Sequence, residues 1–189
     1  LALDEGQQWV EMNRVAVPEL DEPGAELEGG YSVREAADAD LEAIASIEAA
    51  ASGRERLTPA GLASLRENAR WLLLVADAGG APVAYASLAT LSGGWGLIQA
   101  IDILPEHRQA LLKPLLEWVT AFLRNHGGRR IRRQVYLDDT ETLTLLRDAG
   151  FTPGETGLEY TRPVDAAEIQ AKIEDRQAHG TLIKFGDWR

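Results

Sequence analysis

Runs of apolar residues separated by turn signals occupy the middle of the chain and predict a sheet. Three runs follow one another, Trp71–Ala76, Val83–Leu91 and Trp95–Leu104. The segment between the first two carries a Gly-Gly pair and a proline, which is typical of a hairpin connection. We therefore expect these two strands to pair antiparallel.

A long amphipathic helix is predicted after the third run. Its apolar residues recur at spacings of three and four between Leu112 and Leu123, so one face of the helix should pack on a sheet. The apolar segment Ile131–Leu137 follows this helix, and a strand there can run parallel to the strand at Trp95–Leu104. This strand–helix–strand unit is the expected platform for a ligand. A further helix is expected at Glu141–Ala149.

Length and composition predict one domain with terminal extensions. A chain of 189 residues with 45% hydrophobic content buries roughly 70% of the surface that the unfolded chain exposes, which is ample for a packed core. We assign residues 1–30 to an N-terminal arm and linker, in which Trp9–Val17 is strand-like, and residues 31–164 to the domain. Residues 165–189 are expected to form a C-terminal helix and an apolar tail. The arm resembles the tail of a preceding unit in a tandem protein.

The chain is acidic, and this limits its partners. The net charge of −11 and the sequence pI of about 4.7 argue against a nucleic-acid-binding surface, because neutralising phosphates requires clustered Lys and Arg. Such a protein attracts basic peptides, polyamines and other cationic amines instead. A local exception is the arginine cluster that begins a strand, Arg129, Arg130, Arg132 and Arg133. We interpret it as a solvated strand entrance, with a phosphate site as the alternative.

Several classes of site are not expected from the residue types present. The sequence contains no cysteine, which removes disulfides, thiolate metal sites and a cysteine nucleophile. The histidines His107, His126 and His179 lack the paired spacing of metal ligands, so we expect no metal. No apolar run approaches the ~20 residues that span a bilayer, and no signal peptide is visible. We therefore expect a cytoplasmic protein without a membrane partner.

The junction between the third apolar run and the long helix carries the most specific pattern of the chain. Ile103, Pro105 and Arg108 are in register with the signature Val-x-Pro-x-x-Arg-x-x-Gly-x-Gly. Leu111 and Lys113 stand at its two glycines. This signature is that of the GCN5-related N-acetyltransferases (GNATs), which the chain resembles.

The resemblance covers approximately Tyr31–Val164 and rests also on the order of the elements. The last core helix of the family ends in Gly-Phe, as the predicted helix does at Gly150-Phe151. The resemblance implies an α/β fold of the α+β type, the GNAT-like acyl-CoA N-acyltransferase fold. Such a fold has a central mixed, mostly antiparallel sheet with a splayed parallel strand pair and helices on both faces.

The resemblance also implies that acetyl-coenzyme A (acetyl-CoA) binds where the two parallel strands splay apart. Backbone groups near Ile103 and Leu104 would bond the pantetheine amides, and amides at the start of the following helix would hold the diphosphate. The residues implied for that cradle are Arg108, Gln109, Ala110, Leu111, Leu112 and Lys113. Asp139 stands where the family commonly has an asparagine and joins this set, although an aspartate there caps a helix equally well.

Leu111 is a physical difficulty for this cradle. Glycine lets a backbone approach phosphate closely and adopt positive φ, whereas leucine cannot do so without strain. Removing one charge-assisted hydrogen bond between an amide and the phosphate would weaken binding by about 1.5–3 kcal/mol. Lys113 as an exposed cation would return only about 0–1 kcal/mol. The alternative is a plain strand-to-helix joint, with Pro114 in the first helical turn.

Acetylation of an amine also needs a group that takes a proton from the attacking nitrogen. Leu146 stands where the family frequently has a tyrosine, and it cannot supply a proton. We expect Asp102 as the base, the alternative being an aspartate that is solvated or caps the sheet end. Tyr160 is the second catalytic candidate, although it is most simply a strand residue, like Tyr136. His107 corresponds to a position that usually has a packing role in the family.

Two functions remain open at this stage. The first is an acetyl-CoA-dependent N-acetyltransferase that brings a thioester and a small-molecule or peptide amine together for direct attack. The alternative is a domain of the same fold that has lost turnover and serves as the CoA-binding, regulatory or structural half of a tandem or dimeric protein. Leu111, Lys113 and Leu146 favour this second view. Binding of nucleic acid is disfavoured by the acidity of the chain.

Overall fold

The computed structural model describes residues 7–15, 24–52, 58–67 and 71–159 of the chain. Contacts divide the chain into one unit, Gln8–Gly157, and a second unit of Leu1–Gln7 with Leu158–Arg189. Of the second unit, only Gln7, Leu158 and Glu159 are described. The site and the core lie in the first unit.

Eight strands of the described residues form one sheet, in the order β2-β3-β4-β5-β6-β7-β1-β8. Their bounds are β1 Gln7–Val15, β2 Glu26–Leu27, β3 Tyr31–Glu35, β4 Trp71–Ala78, β5 Ala81–Leu91, β6 Trp95–Ile103, β7 Arg130–Tyr136 and β8 Thr152–Glu159. β4 and β5 pair antiparallel, as the hairpin signal predicted, and β6 and β7 pair parallel. The pairs β2–β3, β3–β4, β5–β6 and β1–β7 are antiparallel. The sheet is thus mixed and mostly antiparallel.

Helices cover both faces of this sheet. They are α1 Leu41–Ser52, α2 Pro59–Glu67, α3 Pro105–Asn125 and α4 Thr140–Asp148. The apolar residues of α1 and α2 form one core with β4 and β5, and those of α3 and α4 form a second core with the strands. Within the part of the chain that the structure describes, no helix combines the length and apolarity needed to cross a membrane.

The end of α4 confirms the predicted glycine stop. Gly150 has a φ of 83°. The amide of Phe151 donates to the carbonyl of Leu146 at 2.9 Å, and this is the bond that closes a helix with a left-handed glycine. Phe151 is buried beside Leu146 in the core. The helix begins at Thr140, one residue before the expected start. Asp139 caps it and accepts from the amide of Thr142 at 3.1 Å.

β1 lies inside the sheet between β7 and β8, within the stretch assigned to the arm. Its Val10 and Met12 are buried in the core that contains α3. A Cβ atom at Gly157 of β8 would lie 2.4 Å from the ring of Trp9, so glycine is needed where the β1 side chain crosses. The assigned boundaries at residues 30 and 164 stay a prediction, and the expected C-terminal helix and tail lie outside the described residues.

Candidate functional site

The parallel strands β6 and β7 pair over only part of their length. Their pairs run from Trp95–Arg130 to Ile98–Arg133. β6 continues to Ile103 and β7 to Tyr136, but these ends are not paired with each other. The strands therefore separate beyond Ile98, and their carboxyl ends border a gap in the sheet. The predicted splay is confirmed.

A β-bulge in β6 lies at the point where the gap opens. Ser87 of β5 pairs with Ala100 and Leu88 pairs with Ile98, so Gln99 is an extra residue without a partner on β5. A bulge bends its strand and increases the local twist. Because the ladder to β7 ends at Ile98, the bend explains why β6 leaves β7 there.

Hydrogen bonds to β5 decide which backbone groups of β6 face the gap. The amide of Leu104 donates to the carbonyl of Val83 at 2.9 Å, and the carbonyl of Leu104 accepts from the amide of His107 at 2.9 Å. Bonded and non-bonded pairs alternate along an antiparallel ladder, so in the next pair, Ala84–Ile103, the backbone groups of Ile103 point away from β5. Ile103 therefore fits the predicted contact with a ligand amide. Leu104 does not fit as a donor, because its amide is already used.

A group of polar side chains lies on the α1 side of β6, beside the gap. Asp102 stands opposite Tyr85 in the β5–β6 ladder, so the two side chains share a face. Tyr85 is fully buried, and its hydroxyl donates to Oε1 of the buried Glu48 at 3.4 Å. Burial, together with the charges of Asp102 and Glu48 and their hydrogen bonds to the hydroxyl, raises the pKa of Tyr85. The hydroxyl therefore stays protonated at neutral pH and donates to Glu48.

Ser87 extends this polar group toward the bulge. It is buried on the same strand as Tyr85, and its partner in the ladder is Ala100. Its Oγ has no hydrogen-bond partner among the residues that the structure describes. An unpartnered buried hydroxyl costs free energy, so this atom is available to a ligand or a water molecule.

Arg108 is held by the start of α4 and not by an open loop. Its Nε lies 2.8 Å from Oε2 of Glu141, and its Nη2 lies 3.1 Å and 3.2 Å from the two carboxylate oxygens of Asp139. Nη2 also lies 3.1 Å from Oγ1 of Thr142. Burial disfavours the charged form, but the bonds and charges of Glu141 and Asp139 outweigh it and raise the pKa of Arg108. Arg108 and Asp139 thus connect α3 to α4.

The predicted phosphate cradle has a different structure from the expected one. α3 begins at Pro105, so residues 109–113 lie within the helix and their amides face carbonyls of the preceding turn. These amides are therefore not free, in contrast to the expected cradle, and binding of a diphosphate at this segment stays a prediction. The strain expected at Leu111 does not arise, because helical residues have negative φ. Pro114 lies well inside the helix and not in its first turn.

The side chains of this segment divide between core and solvent. Leu111 and Leu112 are buried against the sheet, whereas Gln109, Ala110 and Lys113 are exposed. Nζ of Lys113 lies 3.9 Å from Oε1 of Glu117, one turn further along α3. Any role of these side chains in cofactor binding stays a prediction.

Arg133 is the residue that sequence reasoning missed. Arg129 and Arg130 are exposed and Arg132 is half-buried, but Arg133 is only 8% exposed. Burial lowers the pKa of Arg133 to about 10, and the charges of Asp102 and Asp139 act in the opposite direction. The solvated strand entrance is therefore wrong for Arg133. Strand alternation could have found it, because Arg133 lies between Ile131 and Val135, which are buried on one face.

Solved structures with this arrangement identify the fold. A GCN5-related N-acetyltransferase from Sphaerobacter thermophilus superposes with a TM-score of 0.64 at 21% identity, over 87% of this chain and 55% of that one. The chain has the GNAT fold. The ribosomal-protein-S18-alanine N-acetyltransferase of Escherichia coli superposes with a TM-score of 0.60 at 21% identity, over 66% of this chain and 79% of that one.

A third GNAT structure matches over a similar part of the chain. The aminoglycoside 6′-N-acetyltransferase of Acinetobacter haemolyticus has a TM-score of 0.54 at 16% identity and is covered over 99% of its length by 71% of this chain. This chain spans about half the length of the Sphaerobacter protein, 55% of it. No protein-family model matches the sequence, and no curated protein matches it. At these identities the likeness shows the fold alone.

The other residues considered for catalysis in the sequence lie in different surroundings. His107 packs edge-on against Tyr31, with its Nδ1 3.1 Å from the tyrosine hydroxyl. Leu146 is buried in the core. Asp102 borders the gap, as a base would need to, and its catalytic role stays a prediction. Tyr160 lies outside the described residues.

The geometry of Arg108 predicts an effect on stability and not on cofactor affinity. Arg108→Ala should lower the free energy of unfolding by about 1 kcal/mol, because partly exposed ion pairs contribute little more. The affinity for acetyl-CoA should stay within a factor of two. Urea denaturation and calorimetry measure the two quantities. Arg147→Ala, which removes an exposed cation of α4, is the control and should change neither. A tenfold loss of affinity in Arg108→Ala at unchanged stability would show that Arg108 holds the diphosphate.

Proposed function

We propose that this chain transfers an acyl group from a coenzyme A thioester to a primary amine. The observation that carries the proposal is the gap beyond Ile98, which opens at the bulge of β6 and is bordered by Asp102. The fold is shared with enzymes whose names specify acetylation of a ribosomal-protein alanine and of an aminoglycoside. The net charge of −11 favours a cationic acceptor, such as a polyamine or a basic peptide.

The residues at the gap fit one part of acetyl-CoA, the proposed donor. The backbone groups of Ile103 that point away from β5 suit the amides of the pantetheine arm. The diphosphate fits less well at the expected place, because residues 109–113 are helical and Arg108 is bonded to Asp139 and Glu141. When bound, the cofactor supplies a thioester carbonyl. The gap would hold this carbonyl near Asp102.

The polar group on the α1 side has the chemistry that an attacking amine needs. Asp102 would accept the proton that the amine nitrogen loses as its bond to the carbonyl carbon forms, in the manner of a general base. The bond from that carbon to sulfur would break, and the sulfur would leave as a thiol after taking up a proton. The protonated hydroxyl of Tyr85, which donates to Glu48 on the face that Asp102 shares, would help to hold the carboxylate of Asp102 in place. The hydroxyl of Ser87 lies on the same face and has an unused hydrogen-bonding capacity among the described residues. Positioning of the amine would supply the rest of the acceleration.

Direct binding tests the first half of this proposal. Calorimetric titration of the full chain with acetyl-CoA should give a dissociation constant in the micromolar range, which corresponds to about −8 kcal/mol. Desulfo-CoA carries the same diphosphate without the thioester. Comparing its affinity with that of acetyl-CoA measures the contribution of the thioester end of the ligand. Absence of binding at millimolar acetyl-CoA would remove the proposal.

A second candidate function has an observation of its own. Arg108, the cation of the signature, is bonded to Asp139 and Glu141 and is not free to bind a diphosphate, which favours a GNAT-like domain with a regulatory or structural role. Such a domain would release no thiol from a CoA thioester in the presence of an amine. A panel of amines, including polyamines and an N-terminal alanine peptide, separates the two candidates when thiol release is followed over time. Release above the rate of hydrolysis supports the enzyme.

A further inference from the structure

Arg133 is a buried cation without the bonds that a guanidinium normally makes. Its Nε and Nη1 are buried, and neither has a hydrogen-bond partner among the described residues. A guanidinium has five N–H donors and is almost never buried unless it is paired. Leaving such donors unpaired in an apolar core is costly, which suggests that a ligand completes the site.

The charges nearest to Arg133 are engaged elsewhere. The charges of Asp102 and Asp139 raise the pKa of Arg133, and the cation of Arg108 lowers it. Asp139 is bonded to Arg108 and also caps α4 through Thr142. Asp102 interacts with the hydroxyl of Tyr85 on the other face. The pKa of Arg133, about 10, leaves it a cation at neutral pH, and neither carboxylate hydrogen-bonds its Nε or Nη1.

Arg133, the buried cation with unpartnered donors, lies where the gap between β6 and β7 begins. Ile98–Arg133 is the last pair of the β6–β7 ladder, so the two strands separate immediately beyond it. The flanking residues on its face, Ile131 and Val135, are buried against the core that contains α3 and α4. Arg133 thus lies at the closed end of the gap, in low-dielectric surroundings that strengthen its attraction for an anion.

We propose that Arg133 binds an anionic oxygen group of the thioester ligand in the gap, a carboxylate or a phosphate. The proposal rests on the proposed function. Guanidinium groups bind both kinds of anion through charge-assisted hydrogen bonds. The anion has two sources, a carboxylate at the end of the acyl chain, as in a succinyl thioester, or the diphosphate of CoA. The second source would replace the cradle that the helical residues 109–113 do not offer.

Four probes distinguish the sources by calorimetry on the full chain: acetyl-CoA, succinyl-CoA, S-acetylpantetheine and S-succinylpantetheine. If the carboxylate is the ligand, each succinyl compound should bind at least tenfold tighter than its acetyl counterpart, and Arg133→Met should abolish both differences. If the diphosphate is the ligand, Arg133→Met should weaken both CoA thioesters at least tenfold and leave both pantetheine thioesters unchanged. Arg132→Met, two-fifths exposed on the opposite face of the same strand, is the control and should change no affinity.

The outcomes also separate this inference from the proposed function. Thioesters that bind wild type and Arg133→Met equally would overturn the role of Arg133 and leave the proposed function intact. Failure of every thioester to bind wild type would overturn both. Arg133→Met should melt no lower than wild type, because the substitution breaks no bond of Nε or Nη1 to the described residues. Arg133→Lys keeps the charge without the planar donors, and it should bind with an affinity between those of wild type and Arg133→Met. A lower melting temperature with unchanged affinity would assign Arg133 to structure alone.

Discussion

Replacing Leu111 with glycine, the residue of the GNAT signature, is expected to destabilise the protein by about 3–6 kcal/mol. Leu111 is 0% exposed and packs between α3 and the sheet. Truncating a buried leucine to alanine costs about 2–5 kcal/mol, and glycine inside a helix costs about 1 kcal/mol more than alanine. Domains are stable by about 5–15 kcal/mol, so the variant should lose a large part of its stability. Urea denaturation followed by circular dichroism measures the change.

Ala110→Gly is the matched control for that variant. Ala110 is the preceding residue of the same helix and is exposed, so glycine there should cost only about 1 kcal/mol through helix propensity. Equal losses in the two variants would mean that Leu111 contributes no packing and that the segment is free to form a loop. Tighter binding of acetyl-CoA by Leu111→Gly would point the same way. Our expectation is a destabilised protein without any gain in affinity.

The local features of this fold could be predicted because short-range chemistry decides them. A Gly-Gly pair between two apolar runs specifies the β4–β5 hairpin whatever surrounds it. Gly150 can adopt a φ of 83° at little cost, so the end of α4 follows from one residue. The parallel pairing of β6 and β7 follows from the helix between them, since a parallel connection needs such a crossover. These signals are contained in segments of a few residues each.

The start of α3 depended on contacts that no short segment contains. The signature suggested a cradle of free amides at residues 108–113, whereas the buried stripe begins at Leu111 and the helix at Pro105. The helix is held at this end by Asp139 and Glu141, which lie about thirty residues further along the chain, 31 and 33 from Arg108. A sequence without its relatives does not show such pairs. The sheet order could not be predicted for the same reason, because β1 lies between β7 and β8, which are far from it in the sequence.

The site was predicted in part, and the difference lies in which face each side chain takes. Asp102 was expected as the base, and its register opposite Tyr85 places it on the face of the sheet that α1 covers. Tyr85, Glu48 and Ser87 carried no signal in the sequence, because each stands among apolar or small residues that predict only core. Arg133 was hidden by its exposed arginine neighbours. Counting alternate residues along β7 would have placed it inside.

The largest expected effect on turnover is that of Asp102→Asn, which should lower kcat for amine acylation about 100- to 10,000-fold. The amide has the shape of the carboxylate, but it cannot accept the proton of the attacking nitrogen. The KM for the thioester should change little, since the backbone of β6 is unaltered. Tyr85→Phe should cost less than Asp102→Asn, because it removes only the group that holds the carboxylate.

The measurement is thiol release across a range of pH, with wild type, Asp102→Asn and Asp138→Asn compared on one amine. Asp138 is an exposed aspartate in the turn after β7, and its replacement should leave kcat unchanged. The wild-type rate should rise with pH as the base loses its proton, as base catalysis requires. The residual rate of Asp102→Asn should not show this rise. Equal turnover in Asp102→Asn and wild type would exclude Asp102 as the base. In that case the amine would have to lose its proton to water, and Asp102, Tyr85 and Glu48 would be a structural group that joins α1 to the sheet.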